Sequence, residues 1–147
     1  MPYICTLMTK FPLSLKLRID WSEMDLYGHV NNVTYFKYIQ AARVNYWEAL
    51  GLSRMFDEEQ KGPILASSGI DFRKPLHYPG NVIVHSGIDS IGNSSFSILH
   101  KLLNEKNEVC AEGKHVVVLY DFKNNQKMMV SNDMRKLIEE MESKGNF

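Results

Sequence analysis

From Asn32 to Leu50 the chain is apolar or aromatic around most of a helical circumference. Tyr35, Phe36, Tyr38, Ile39, Tyr46 and Trp47 are its largest members, and Thr34, Lys37, Asn45 and Glu48 form one narrow polar stripe filled out by Ala41. The spacing predicts a single long helix, with Asn31 as its N-cap and Gly51 as its stop. A helix with so little polar surface must be surrounded, most simply by a curved sheet with a second subunit covering the rest. Arg43 breaks the pattern by falling opposite the polar stripe. Its stem can snorkel to the surface, or its guanidinium can pair with a carboxylate near the core, and such a structural ion pair is expected ahead of a substrate role.

Strand periodicity flanks this helix. Leu13 to Ile19 alternates leucine and isoleucine with Ser14, Lys16 and Arg18, which predicts one buried face. Beyond Pro63 come several strands. Ile64 to Phe72 places Ile64, Ala66, Ser68, Ile70 and Phe72 on one face. Val82 to Ile91 follows, then a Gly92-Asn93 turn, then Ser95–Leu103 with Phe96, Ile98, His100 and Leu102 together. Val109 to Tyr120 is apolar on both faces from Val116 and is expected to be central. Lys127 to Val130 predicts a further short strand. Met134, Leu137, Ile138 and Met141 give a terminal helix over 131–143, capped by Ser131 or Asn132. Residues 1–12 read as an irregular lead-in to one domain spanning 1–147. Consecutive strands joined mostly by hairpins make an antiparallel sheet of about five strands, so the class is α+β.

The composition narrows the function. The 147 residues suit one core, and 44% hydrophobic with 23% charged content marks a folded globular chain. Seventeen basic residues balance seventeen acidic ones, so no basic surface for nucleic acid is implied. No apolar run is long enough to span a membrane, and the first residues lack the pattern of a signal peptide. Cys5 and Cys110 read as reduced thiols in a cytoplasmic protein. His77, His85, His100 and His115 have no ligand spacing, so no metal site is expected. Neither a phosphate-binding glycine loop nor a serine nucleophile elbow is present.

The chemistry concentrates between Glu23 and Tyr35. An acid, a glycine turn, a histidine and two asparagines stand directly before the long helix. A carboxylate and an imidazole are thereby held beside a helix N-terminus, whose free N–H groups receive developing negative charge. That combination suits acyl transfer. Asp25 as a loop-forming residue, His29 as a structural hydrogen-bonding residue, and Asn31 and Asn32 as cap and loop braces are the alternatives on the residues alone.

The stretch Asp25-Leu26-Tyr27-Gly28-His29-Val30-Asn31-Asn32-Val33-Thr34-Tyr35, with Ala42-Arg43 further on, resembles the signature of the 4-hydroxybenzoyl-CoA thioesterase-like group of hotdog-fold proteins. Fatty acyl-carrier-protein thioesterases carry a related stretch. The resemblance covers about residues 13 to 140. It implies a hotdog fold, a curved antiparallel sheet wrapped around the central helix. It also implies hydrolysis of an acyl-CoA or acyl-carrier-protein thioester with no metal or prosthetic group.

By position, the family's catalytic aspartate falls on Asp25, as nucleophile or as general base for water. The backbone N–H of Asn32, aided by the helix dipole, would polarise the carbonyl. His29 would assist, while Tyr27 stands where the carrier-protein enzymes keep an asparagine. The family also implies a homodimer or homotetramer with the active site between subunits. On that basis Ser67, Ser68 and Gly69 would line the pocket opposite Asp25, and Arg73 and Lys74 would meet the phosphates of the carrier arm. Two other functions remain open on the same fold: an acyl-thioester binding protein without activity, and an acyl-thioester hydratase or dehydratase.

Overall fold

The computed structural model describes residues 9–145 in full and Cys5–Thr6 by their backbone. The rest of the lead-in lies outside the described residues. The elements in chain order are β1 (Cys5–Thr6), β2 (Leu13–Arg18), a 3-10 turn (Trp21–Glu23), α1 (Asn32–Ala49) and α2 (Met55–Glu59), followed by β3 (Lys61–Phe72), β4 (Asn81–Ile91), β5 (Ser95–Leu103), β6 (Val109–Asp121), β7 (Gln126–Lys127) and α3 (Asn132–Ser143). All strand pairs are antiparallel. The long strands run in the order β2-β4-β5-β6-β3, and β1 and β2 occupy successive stretches of β4's free side. The sheet curls as a half-barrel around α1, which is the hotdog arrangement. No described helix is long and apolar enough to cross a membrane.

Local sequence accounts for most of these elements. Asn31 caps α1 by accepting the Val33 N–H at 3.0 Å, and Ser131 caps α3 by accepting the Met134 N–H at 3.1 Å. On β5, Phe96, Ile98, His100 and Leu102 are all buried together, as their alternation predicts.

Four expectations change. First, β3 begins at Lys61 and carries a bulge between Leu65 and Ser67, with Ala66 the extra residue. The bulge moves Ile64 off the face shared by Ser68, Ile70 and Phe72, and Pro63 and Leu65 take its place opposite Leu119 and Val117. Second, the short strand near 127–130 is confined to Gln126–Lys127. Third, α2 and the β1 pairing are additions, both too short to show periodicity. Fourth, Arg43 makes no ion pair or hydrogen bond among the described residues, because no carboxylate lies within reach of it.

The core falls into two apolar clusters along α1. Tyr35, Tyr38, Ile39 and Ala42 pack with Val82, Val84, Leu102 and Ala111. Tyr46 and Leu50 pack with Ile88, Ile98, Val117 and Ile138. Ile39 is fully buried, and a Cβ on Gly113 would come within 2.7 Å of its Cδ1, so any side chain there would force Ile39 to shift. Between the clusters lies a polar seam of Ser86, His100 and His115, all buried. Ser86 Oγ stands 2.8 Å from His100 Nδ1. Beyond Tyr46, whose hydroxyl donates to Glu142 Oε2 at 2.5 Å, the same carboxylate oxygen receives the Ile88 N–H at 3.1 Å and ties α3 to the sheet.

The two sides of α1 are covered unequally. Its backbone lies closest to β2 and β4, whereas β3 reaches it through side chains, with Ile70 against the first cluster and Phe72 edge-on to Tyr35. Phe36, Val44, Leu65 and Phe72 on that open side remain exposed.

Candidate active site

The loop from Asp20 to Asn31 is assembled by its own short-range bonds. Asp20 Oδ1 accepts the Ser22 N–H at 2.8 Å, and Glu23 Oε1 accepts the Asp20 N–H at 2.7 Å. This reciprocal cap starts the 3-10 turn. Glu23 then reaches α1, accepting from the Tyr38 hydroxyl and from Lys37 Nζ, each at 2.9 Å. Only 9% of Glu23 is exposed. Burial pushes its pKa up, but the bonds from Asp20, Lys37 and Tyr38 outweigh burial and hold it below the usual glutamate value.

Met24 and Val30 then pair as a single antiparallel bridge, closing a turn over Asp25 to His29. The Asp25 N–H donates to the His29 carbonyl at 2.7 Å, and the Gly28 N–H to the Asp25 carbonyl at 3.2 Å. Gly28 sits at φ +76°, a left-handed conformation that favours glycine. Asp25 Oδ1 accepts the N–H groups of Tyr27 at 2.8 Å and His29 at 3.1 Å. The other oxygen, Oδ2, carries no hydrogen bond among the described residues. One half of the carboxylate therefore braces the loop and the other half is left for chemistry. At the start of α1 the Asn31 side chain takes the Val33 N–H and its carbonyl takes the Thr34 N–H. Neither bond uses the Asn32 N–H, the first orphan donor of the helix.

Asp25, His29 and Asn32 line one cleft of about 380 Å³ with Val30, Tyr35, Phe72, Arg73, Lys74 and Pro75. Tyr35 is buried at its base, with its hydroxyl accepting the Leu76 N–H at 3.1 Å and its ring edge-on to Phe72 at 5.0 Å. Arg73 and Lys74 are anchored by their N–H groups to the Cys110 carbonyl. Their side chains pair with Glu112 and Glu108 at the exposed rim. The hydrogen bond it donates to Glu108 raises the Lys74 pKa, so this ammonium stays charged. Cys110 is a buried free thiol.

Five sequence candidates therefore meet in one cleft: Asp25, His29, Asn32, Arg73 and Lys74. The Tyr27 side chain is 82% exposed and does not line it, although its N–H holds Asp25. Ser67, Ser68 and Gly69 lie further along β3, outside this cleft. Two residues outside the candidate set matter to its geometry. Glu23 was legible as the third residue after an Asp N-cap, Asp20-Trp21-Ser22-Glu23. His77 had no local signal. Its Nδ1–H donates to the Gly28 carbonyl at 3.2 Å, and its ring meets His29 edge-on at 5.1 Å. Among the described residues no cluster of three or more His, Cys, Asp or Glu has the form of a metal site.

The Thioesterase-like superfamily matches residues 19–138, which span this loop, α1 and all the long strands but β2. The chain belongs to that superfamily. Among curated relatives, the YsmA protein of Bacillus subtilis is 28% identical over 110 residues, covering 75% of this chain and 74% of its own. The long-chain acyl-CoA thioesterase FadM of Escherichia coli is 22% identical over 134 residues, covering 88% and 98%. The solved structure of the PA2801 protein of Pseudomonas aeruginosa superposes with a TM-score of 0.77 at 30% identity, covering 85% of this chain and 96% of that one. In this superfamily setting, a carboxylate oxygen beside an unused helix N–H is an arrangement able to attack, and to stabilise, a thioester carbonyl.

Proposed function

We propose that the protein hydrolyses an acyl-CoA thioester, or an acyl-carrier-protein thioester, to the free acid and thiol. The observation that carries this reading is the pairing, in one cleft, of the free Asp25 Oδ2 with the unused Asn32 N–H. The thioester carbonyl oxygen would point at the Asn32 N–H, where the helix dipole and the orphan donor stabilise the oxyanion. Asp25 would deliver water as general base, or attack directly to give a mixed anhydride that water then cleaves. Either route expels the thiolate, which is a good leaving group. His29, held by His77 and by its own N–H bond to Asp25, supports the loop. Arg73 and Lys74 at the rim would meet the phosphates of the carrier arm.

Two copies of the chain would complete the site. The long β3 edge is unpaired among the described residues, with exposed Ile64, Leu65 and Phe72, and such an edge favours pairing with a second strand. Pairing through β3 would carry Ser67, Ser68 and Gly69 of one copy toward the cleft of the other. A homodimer, or a tetramer built from it, is the assembly this reading expects, and size-exclusion chromatography with light scattering measures it. A cytoplasmic setting fits the free thiol of Cys110.

The test is thiol release over a panel of acyl-CoA thioesters, with Asp25→Ala as control. Hydrolysis that survives in the variant at a near-normal rate would overturn the assignment. In a single turnover in ¹⁸O-water, label found in the Asp25 carboxylate marks the nucleophilic route with water opening the anhydride at the Asp25 carbonyl, whereas general-base hydrolysis labels only the product acid.

A further inference from the structure

Arg43 is the unexplained charge of this fold. It is half-buried on α1, and desolvation lowers its pKa with no carboxylate paired to it among the described residues. It lines an apolar pocket of about 270 Å³ with Val44, Trp47, Leu65, Phe96 and Val117 among its walls. Trp47 and Phe96 stack there, their rings 6.3 Å apart and within 8° of parallel. Neither histidine of the polar seam lines this pocket, but the Arg43 charge reaches both, and His100 Nε2 and both ring nitrogens of His115 are buried without a hydrogen-bond partner among the described residues. A cation left unpaired in an apolar pocket is costly unless something else brings it an oxygen.

The position of the pocket points to what that is. Both the cleft at Asp25 and the pocket at Arg43 are lined by α1 and β3, and the pocket reaches β5 and β6 as well. Asn32, Phe36, Gln40, Arg43 and Trp47 follow one another at helical spacing along the open side of α1. Phe72 belongs to the cleft, Leu65 and Pro63 to the pocket, and Ile70 and Ser68 lie between them on the same face of β3. Arg43 follows Asn32 by three turns, about 16 Å along the helix axis. That span exceeds the length of a single benzene ring.

We propose that the acyl group lies along this open side of α1 and ends in an oxygen, a carboxylate in the strongest case and a hydroxyl in a weaker one, received by Arg43. The inference rests on the thioesterase reading, because that reading puts the thioester carbonyl at Asn32. The apolar walls select a chain of some length, and the arginine selects its distal end. A guanidinium suits this task, being permanently charged and carrying several donors in a fixed fork.

The experiment compares three CoA thioesters of equal medium chain length ending in methyl, hydroxyl or carboxylate. The wild-type protein is expected to favour the carboxylate-ended substrate over the methyl-ended one by about tenfold or more in kcat/KM, with the hydroxyl between, as a hydrogen bond to a charged group allows. Arg43→Met keeps the apolar stem and removes the charge, and should bring that ratio to near unity. Arg43→Lys should keep part of it. Binding of the same three compounds, read by Trp47 fluorescence in Asp25→Asn protein with and without Arg43→Met, gives the ratio independently of turnover. A protein that binds the three with the expected order yet hydrolyses none would retire the thioesterase reading and leave the Arg43 site standing. Equal binding of all three by Arg43-containing protein would overturn the proposal. So would an Arg43→Met protein that keeps the carboxylate preference, or one whose only defect is loss of its oligomeric state.

Discussion

Glu23 and Asp25 stand two residues apart on one loop and have opposite fates. Glu23 is buried and bonded through both of its oxygens. Its two oxygens take a backbone N–H, a tyrosine hydroxyl and a lysine ammonium, and they hold the loop against α1. Asp25 spends one oxygen on the turn and presents the other to an open cleft beside the helix start. A carboxylate with both oxygens engaged is a strut. A carboxylate fixed by half of itself is oriented and still available, which is the condition a nucleophile or base must meet.

The sharpest way to break this comparison is Asp25→Asn. The amide oxygen still accepts from Tyr27 and His29, so the fold should hold while turnover falls at least about 100-fold. Unchanged turnover on a good substrate would refute the division of roles. Glu23→Ala should show the reverse signature. It leaves the Tyr38 hydroxyl and the Asp20 N–H without their acceptor, and urea unfolding should report a loss of about 2–4 kcal/mol. Its turnover per folded molecule should stay well above that of Asp25→Asn. His77→Ala removes the support for Gly28 and His29, so kcat/KM should fall by about tenfold through misplacement with the urea midpoint little moved. An equal loss in stability would make His77 a strut like Glu23.

Acid unfolding separates struts by pH. Burial depresses His100 to about 3 and His115 to about 4, from an ordinary 6.5, with the Arg43 charge and, for His100, the neighbouring His115 adding to the effect. The folded state therefore refuses protons that the unfolded chain binds. The associated stability is complete above pH 6.5 and is lost as pH falls from there through the folded values. Glu23 acts lower. Its depressed folded pKa stabilises above the unfolded value of 4.5 and is lost as pH falls through the folded one. Denaturation midpoints measured across pH should thus decline in two windows. His115→Gln should flatten the upper window, and Glu23→Ala the lower one.

Much of this architecture follows from short-range pattern. α1 runs over Asn32–Ala49, under the Asn31 cap that its sequence announces, because a cap and a hydrophobic girth are local properties. The buried face of β5 was equally plain, since alternation survives wherever no bulge intervenes. β3 shows the limit. One extra residue at Ala66 exchanges the faces before and after it, and nothing in the amino-acid order marks the slip. The role of His77 was invisible for a related reason. It lies 48 residues from His29 in the chain, and only the return of the segment after β3 brings the rings together.

The amino-acid order alone carried the class of fold, the capped central helix, the superfamily resemblance and the acid before the helix start. These rest on spacings of a few residues, where backbone geometry leaves few choices. Folding in three dimensions assigned the work within that frame. It bound one oxygen of Asp25 into the turn, buried Glu23, left Arg43 without a counterion among the described residues and set Phe72 of β3 against Tyr35. Those outcomes depend on which distant groups reach one another, and a hydrogen bond or an ion pair exists only at contact distance.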